Sequence, residues 1–321
     1  MSRFVGEVAP IAVADRSGFD ESIHHGAGVA LDGERVLATV GDPDLVVYPR
    51  SCLKPLQVDA MIALGLDVPD DQLAVACASH DGAEIHLRTV RRLLADHGLG
   101  EHDLDNTPAR PFGAGARSAA RLAGVEPSSL QQNCSGKHAA MLATCAVNGW
   151  PTAGYRDADH PLQRGITAHL RALGCAVEHV GVDGCGAPAH AFALRDLARA
   201  FARVAQPGSR VARAMGAHPV LVAGEDRDVT AWLRALPGAV AKEGAAGMMA
   251  AGLPDGRAVA FKIADGSDVA RRAVTPEALR AVGLDVDTLA ADAVLASRVP
   301  VLGHGREVGV LRALDWSSCS S

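Results

Sequence analysis

Apolar positions along this chain change their period twice. Near the N-terminus two apolar runs, Gly26 to Leu31 and Arg35 to Val40, flank Asp32-Gly33 within residues 21–49. Asp-Gly between such runs signals a tight turn, so the segment reads as a β-hairpin. Beyond Asp42-Pro43 the apolar residues Leu53, Leu56, Met61 and Leu64 recur at helical spacing, with Pro55 in the first turn. That places Ser51 at or near a helix N-terminus. A short apolar run, Leu73 to Ala78, leads into Ser79-His80-Asp81-Gly82 at a strand or helix edge. An Arg-rich amphipathic helix then extends to about His97. Residues 100–118 read as loop.

Ser135-Gly136-Lys137 opens a strongly apolar helix stopped by Gly149 and Pro151, and Asp159 to Leu173 is a second amphipathic helix beginning at His160-Pro161. Val177 to Val182 reads as a buried strand ending at Asp183-Gly184-Cys185-Gly186, and Ala191 to Val204 as a helix. Val240 to Met249, Ala258 to Ile263 and Glu307 to Leu314 supply a last helix and strands. Strands at both ends with helices between predict an α+β fold, in which an antiparallel sheet from the N- and C-terminal segments packs against a helical middle. No repeat, low-complexity tract or linker divides the sequence, so residues 1–321 read as one domain.

Composition narrows the partners. A net charge of −6 and 3% aromatics leave neither a basic stripe for phosphates nor a stacking platform for bases, which points to a small polar substrate rather than nucleic acid. No apolar run reaches the roughly 18 residues of a membrane span. Met1 to Val13 lacks a basic stretch followed by an apolar core, so a cytoplasmic location is expected. Seven dispersed cysteines, an odd number, read as reduced thiols. Of 31 basic residues only Lys54, Lys137, Lys242 and Lys262 are lysine. Arg serves wherever a fixed positive charge suffices, so the surviving lysines are candidates for chemistry that needs a titratable amine. The alternative is a base composition that spared four lysines at random.

Ser51-Cys52-Leu53-Lys54 is S-x-x-K. On a helix, positions three apart share a face, and a lysine amine freed of its proton can activate a serine hydroxyl. Ser79 offers a second hydroxyl to relay a proton or hold substrate, or else an ordinary cap for the following helix. Lys262 lies inside an apolar strand, where a charge is costly unless paired or titrated; the alternative is an edge lysine facing water. Cys134 and Cys185 sit in Gly-rich turns and can begin a zinc site, with Lys137 or His138 as a third ligand. Without a C-x-x-C pair, spacing alone favours two buried structural thiols over a metal site. Cys52, Cys77, Cys145, Cys175 and Cys319 read as packing or surface residues, and Lys242-Glu243 as a local ion pair at a turn.

YPRSCLKPLQ, CASHDGAE, NCSGKHAAML, DGCGAPAHAFAL, AHPVLVAG, KEGAAG and FKIADGS occur in that order from about residue 5 to residue 315. In this combination the chain resembles the Rhizobium-type, or class 3, L-asparaginase II family. The resemblance implies a fold related to serine β-lactamases and glutaminases, and an acyl transfer in which Ser51 attacks a side-chain amide and Lys54 takes its proton. It further implies a second pair, Ser79 and Lys262, and substrate-binding roles for Arg50, His138 and Asp183. A zinc ion held by Cys134, Lys137 and Cys185, and a homodimer, are implied as well. Cys52 after the nucleophile and Asp81-Gly82 after Ser79-His80 depart from the expected pattern, which leaves asparagine and glutamine both open as substrates. A penicillin-recognising S-x-x-K enzyme and a non-catalytic zinc or ligand sensor are the competing readings.

Overall fold

Both ends of the chain build one antiparallel sheet. The computed structural model describes residues 7–316, which leaves Cys319 outside the described residues. Its strands are β1 (Ala9–Arg16), β2 (Phe19–Asp32), β3 (Arg35–Val40), β4 (Val46–Val47), β5 (His179–Val182), β6 (Pro188–Ala193), β7 (Val240–Gly244), β8 (Met248–Gly252), β9 (Arg257–Ile263), β10 (Val299–Gly303) and β11 (Arg306–Ala313). The main sheet runs β10-β11-β1-β2-β9-β8-β7, with β3 also paired to β2. The α+β architecture is the expected one, and the N- and C-terminal segments meet where β2 pairs with β9 and β1 with β11.

Strand β2 shows how local sequence sets this arrangement. Its first half is largely exposed and pairs with β1, whereas Gly26–Leu31 is buried and pairs with β3 and β9. The hairpin turns at Gly33, with φ +59°. Gly28 has no room for a side chain, since a Cβ there would lie 2.5 Å from the Trp316 ring. The missing side chain lets Trp316, fully buried, cover the sheet.

Helices Lys54–Ala63, Asp70–Ala76, Glu84–Ala95, Ser135–Val147 and Pro161–Ala172 form the middle layer. Ser135–Val147 is buried along most of its length because its residues are small, and a Cβ at Gly136 would lie 2.1 Å from Val75 O. The core joins sheet and helices in one continuous cluster. Among the described residues no helix is long and apolar enough to cross a membrane.

The run Leu73 to Ala78 takes the helical of its two alternatives: it falls mostly in a helix that starts at Asp70 and Asp71, two acids suited to a helix N-terminus. Several other elements differ from their sequence reading. Strand β5 is an exposed strand rather than a buried one, and its partner β6 was merged with the helix that in fact begins at Leu194. Val240 to Met249 is no helix: it holds β7 and the start of β8, joined by a turn with positive φ at Ala246 and Gly247. Both strands are buried on both faces, so neither shows the alternation that marks a strand. The late helix is instead Asp268–Ala281, capped by Ser267 Oγ, with Pro276 inside it. A further helix, Ala114–Leu122, starts within the segment read as loop and buries none of its residues.

Candidate active site

Ser51 lies in a 3-10 turn, Arg50–Leu53, that runs into the helix Lys54–Ala63 with Pro55 in its first turn. Arg50 is held in the left-handed region at φ +53°, a conformation that costs a non-glycine residue on the order of 1–3 kcal/mol. Its side chain compensates: Nε and Nη2 donate to Asp183 Oδ1 at 2.9 and 2.7 Å. Strand β7 clamps the turn from beneath. The Cys52 thiol donates to Lys242 O at 2.9 Å, and a Cβ at Gly244 would lie 2.5 Å from Pro49 O and 3.1 Å from Cys52 N. Only a glycine lets strand and turn meet this closely.

All four lysines are buried: Lys54 is 2% exposed, Lys137 3%, Lys242 0% and Lys262 8%. Lys54 Nζ donates to Ala78 O at 2.5 Å and to Ser79 Oγ at 3.2 Å. Lys242 Nζ donates to the same Ser79 Oγ at 3.0 Å and to Glu243 O at 2.9 Å. Burial pulls the Lys242 amine below its ordinary pKa, a shift that Glu243 opposes and Lys54 reinforces. Ser79 is fixed by backbone hydrogen bonds, its own N to Val222 O and the neighbouring His80 N to Asn133 O. It is no cap, because the helix Glu84–Ala95 has Ala83 in that place.

The expected pairing of Ser79 with Lys262 is not what the structure brings together. Lys262 Nζ donates to the carbonyls of Ala246 and Ile263. It braces the β7–β8 turn through the Ala246 carbonyl. Lys242 takes the place beside Ser79. The one signal for it was its place among only four lysines in the chain.

Nor does Lys54 donate to Ser51. Among the described residues the Ser51 hydroxyl has no hydrogen-bond partner, and it lines a cavity of about 10 Å³ with Lys54, Gln57, Lys137, Asp183 and His190. That volume holds about one water molecule. A larger groove of about 580 Å³, between Asp81, Phe112 and Arg227, contains no candidate nucleophile.

The thiol cluster borders the same cavity through Lys137. Lys137 Nζ donates to Cys185 Sγ at 3.2 Å, and Cys134 and Cys185 pack together against Ala187. The Cys134 hydrogen bond draws Cys185 well below the ordinary thiol range. Burial opposes that shift, and the charge of Lys137 and contact with His138 add to it. Cys134 is pushed up in turn, by that hydrogen bond and by burial. Burial opposes the charge on Lys137, but Cys185, Cys134 and Asp183 together outweigh it and raise its pKa.

His138 sits behind Cys185 rather than in the lining of the Ser51 cavity. Its Nδ1 lies 2.8 Å from Tyr155 Oη, which also accepts from Asp105 N. The network therefore assigns the proton to Nε2, which has no hydrogen-bond partner within that network. Burial first, then Lys137, lowers His138 to about 4. Among the described residues no group of three or more His, Cys, Asp or Glu has metal-binding spacing, so any metal here would depend on the lysine amine.

Comparison with curated proteins gives no match. Among solved structures, a β-lactamase from Mycobacterium bovis is similar, with 17% identity, a TM-score of 0.41, and coverage of 83% of this chain and 95% of that chain. The family model for L-asparaginase II matches residues 12–313. That match takes in Ser51, Ser79, Lys242 and the thiol cluster alike, and the chain belongs to the L-asparaginase II family of amide hydrolases.

Proposed function

We propose that the protein hydrolyses the side-chain amide of L-asparagine to L-aspartate and ammonia by acyl transfer through Ser51. One observation carries this reading: an unengaged serine hydroxyl shares a narrow cavity with a buried lysine whose amine is linked through Ser79 to a second buried lysine. Lys54 accepts the Ser51 proton as the oxygen attacks the amide carbon. The proton passes to the leaving nitrogen and ammonia departs; water then attacks the ester carbon, giving its proton to Lys54, which hands it to the departing Ser51 oxygen as the C–O bond breaks. Ser79 connects the two amines and lets a proton shift without reaching bulk water.

Arg50 and Asp183 suit the two ends of an amino acid, the guanidinium for the α-carboxylate and the carboxylate for the α-ammonium. In the cavity as it stands they bind each other, and an amino acid does not fit in about 10 Å³. The substrate therefore enters by replacing this ion pair with its own two charges. Glutamine, longer by one methylene, is the nearest competitor.

The cysteine pair fits a zinc ion: two sulfurs, one already drawn towards thiolate, and one amine converge on one spot. Cys134, Cys185 and Lys137 would hold it, provided that the metal displaces the proton that the thiols keep on Lys137. When bound, the ion supplies a fixed positive charge and ties the turn after Asp183 to the helix that starts at Ser135.

The test compares ammonia release from L-asparagine and L-glutamine by the wild type and Ser51→Ala. Release from asparagine is expected to fall by about 10³-fold or more in the variant, with an unchanged fold. A folded wild type that releases none overturns the proposal.

A further inference from the structure

The two amines on Ser79 differ in their other partners. Lys54 has a carbonyl, Ala78 O. Lys242 has a carboxylate as well, since Glu243 Oε2 lies 2.8 Å from its Nζ. This contact is an ion pair rather than a directed hydrogen bond, for the donated bonds of Lys242 go to Ser79 Oγ and Glu243 O. Glu243 is itself buried and held from the far side. Arg227 Nη2 lies 3.2 Å from its Oε1, and Arg227 Nη1 lies 3.0 Å from Asp81 Oδ1. Asp81 is two residues from Ser79, so Ser79, Lys242, Glu243, Arg227 and Asp81 close a ring of contacts.

A hydroxyl can accept from one amine and donate to another only if the second carries a free electron pair. Two ammonium groups on one oxygen would also repel in a buried site. Whichever amine keeps its proton therefore decides the direction of the Ser79 O–H bond.

We infer that Glu243, fixed by Arg227 and Asp81, is a positioning residue that keeps the shared proton on Lys242 and so leaves Lys54 as the acceptor. The Lys242 ammonium donates to Ser79 Oγ throughout; the Ser79 hydrogen rests on the Lys54 lone pair and swings off it as Lys54 takes the Ser51 proton, after which Lys54 Nζ donates to Ser79 Oγ. The proton taken from Ser51 is returned to the leaving nitrogen, so the pair of amines ends the step with the one proton it began with. The inference rests on the Ser51–Lys54 acyl-transfer reading above.

Burial and the charge of Lys54, from the helix Lys54–Ala63, oppose a proton on Lys242, and Glu243 is the group that offsets them. The remaining neighbours are Cys52 from the 3-10 turn and Cys77 at the end of the helix Asp70–Ala76. Burial pushes the Cys52 thiol up to about 12 and the Cys77 thiol above the ordinary thiol range, so both stay neutral. Arg227 and Arg271 act on Glu243 and help Lys242 hold it ionised, near 2, against burial.

With four lysines in the chain, lysine-selective isotope labelling makes each side chain traceable by NMR, and Lys242→Arg assigns the relevant signal. In Glu243→Gln the Lys242 titration midpoint is expected to fall by about one pH unit or more. The alkaline limb of the kcat/KM profile should move down with it, and Glu243→Asp should restore both. An unmoved Lys242 midpoint in folded Glu243→Gln overturns the inference. If that variant does not fold, Arg227→Gln decides: with Glu243 less neutralised, the Lys242 midpoint should rise, and a fall or no change counts against us. A wild type without amidase activity sinks the acyl-transfer reading instead, while the NMR titration still reports the Glu243–Lys242 coupling by itself.

Discussion

The amine of Lys242 meets the hydroxyl of Ser79 at 3.0 Å across 163 residues of sequence. Both partners stand on rigid supports. Ser79 is pinned between Asn133 and Val222, and Lys242 belongs to an inner segment of a buried strand. The proton path we propose through these groups would need little reorganisation when charge moves.

Replacing each strand lysine should separate their roles. Lys242→Met is expected to lower ammonia release by roughly 10²–10⁴-fold, the range for loss of a proton-transfer group. It should also destabilise the protein by up to ~3 kcal/mol, because Glu243 loses one of its buried cations while keeping Arg227. Lys262→Met removes a brace from two carbonyls and should reduce the rate less than about tenfold while lowering the melting temperature. Equal losses of rate in the two variants would contradict the placement of Lys242 at the reacting groups.

Gly244→Ala should damage the rate out of proportion to stability. A methyl group 2.5 Å from Pro49 O must push the Ser51 turn away from β7, at a cost of about 1–3 kcal/mol. We expect kcat/KM to fall at least about tenfold in a protein that still unfolds cooperatively. Full activity in Gly244→Ala would show that the close contact does not set the position of Ser51.

The thiol cluster makes a prediction about metal content. Protein prepared without chelators should contain about one zinc per chain, and Cys134→Ser and Lys137→Arg should each lose it. Lys137→Arg is the sharper variant, because it keeps the positive charge but presents no amine that can shed a proton. Elemental analysis that finds no zinc in the wild type removes the assignment.

Acid should weaken the fold through histidines that are buried uncharged. His190, bonded to Thr167 Oγ1 at 2.8 Å, is lowered to about 4, first by burial and then by Arg171. The unfolded chain takes up that proton near the ordinary value of about 6.5, so the stabilising effect is complete above that pH and is lost as pH falls towards 4. The loss attributable to His190 is ~3 kcal/mol. Denaturant titrations at pH 7 and pH 4.5 should differ accordingly, and His190→Gln should narrow the difference. A stability independent of pH over this interval would refute the buried neutral state.

What could be read from sequence was whatever one local signal determines. Asp32-Gly33 marks its hairpin, Pro55 its first helical turn, and His160-Pro161 the start of a helix. The scarcity of lysine singled out four residues, all of them buried. Strands β7 and β8 escaped because a strand buried on both faces has no polar alternation; Lys242 forms the ion pair with Glu243 that was expected of it, but inside a strand rather than at a turn, and its reach to Ser79 was missed. The exchange of Lys262 for Lys242 has a spatial cause. Both lie on strands of the same sheet, and only the tertiary arrangement shows which amine reaches Ser79 and which closes on the turn at Ala246.

The sheet order carries a consequence for biosynthesis. Strands β1 to β3 leave the ribosome first, yet β9 and β11, which complete their pairing, follow more than 200 residues later. At translation rates of about 5–20 residues per second, the early hairpin waits roughly 10–40 s with its edges unpaired. Nascent chains ending before residue 240 should therefore be insoluble or chaperone-bound, and a circular permutant that joins the two ends of the sheet should mature faster.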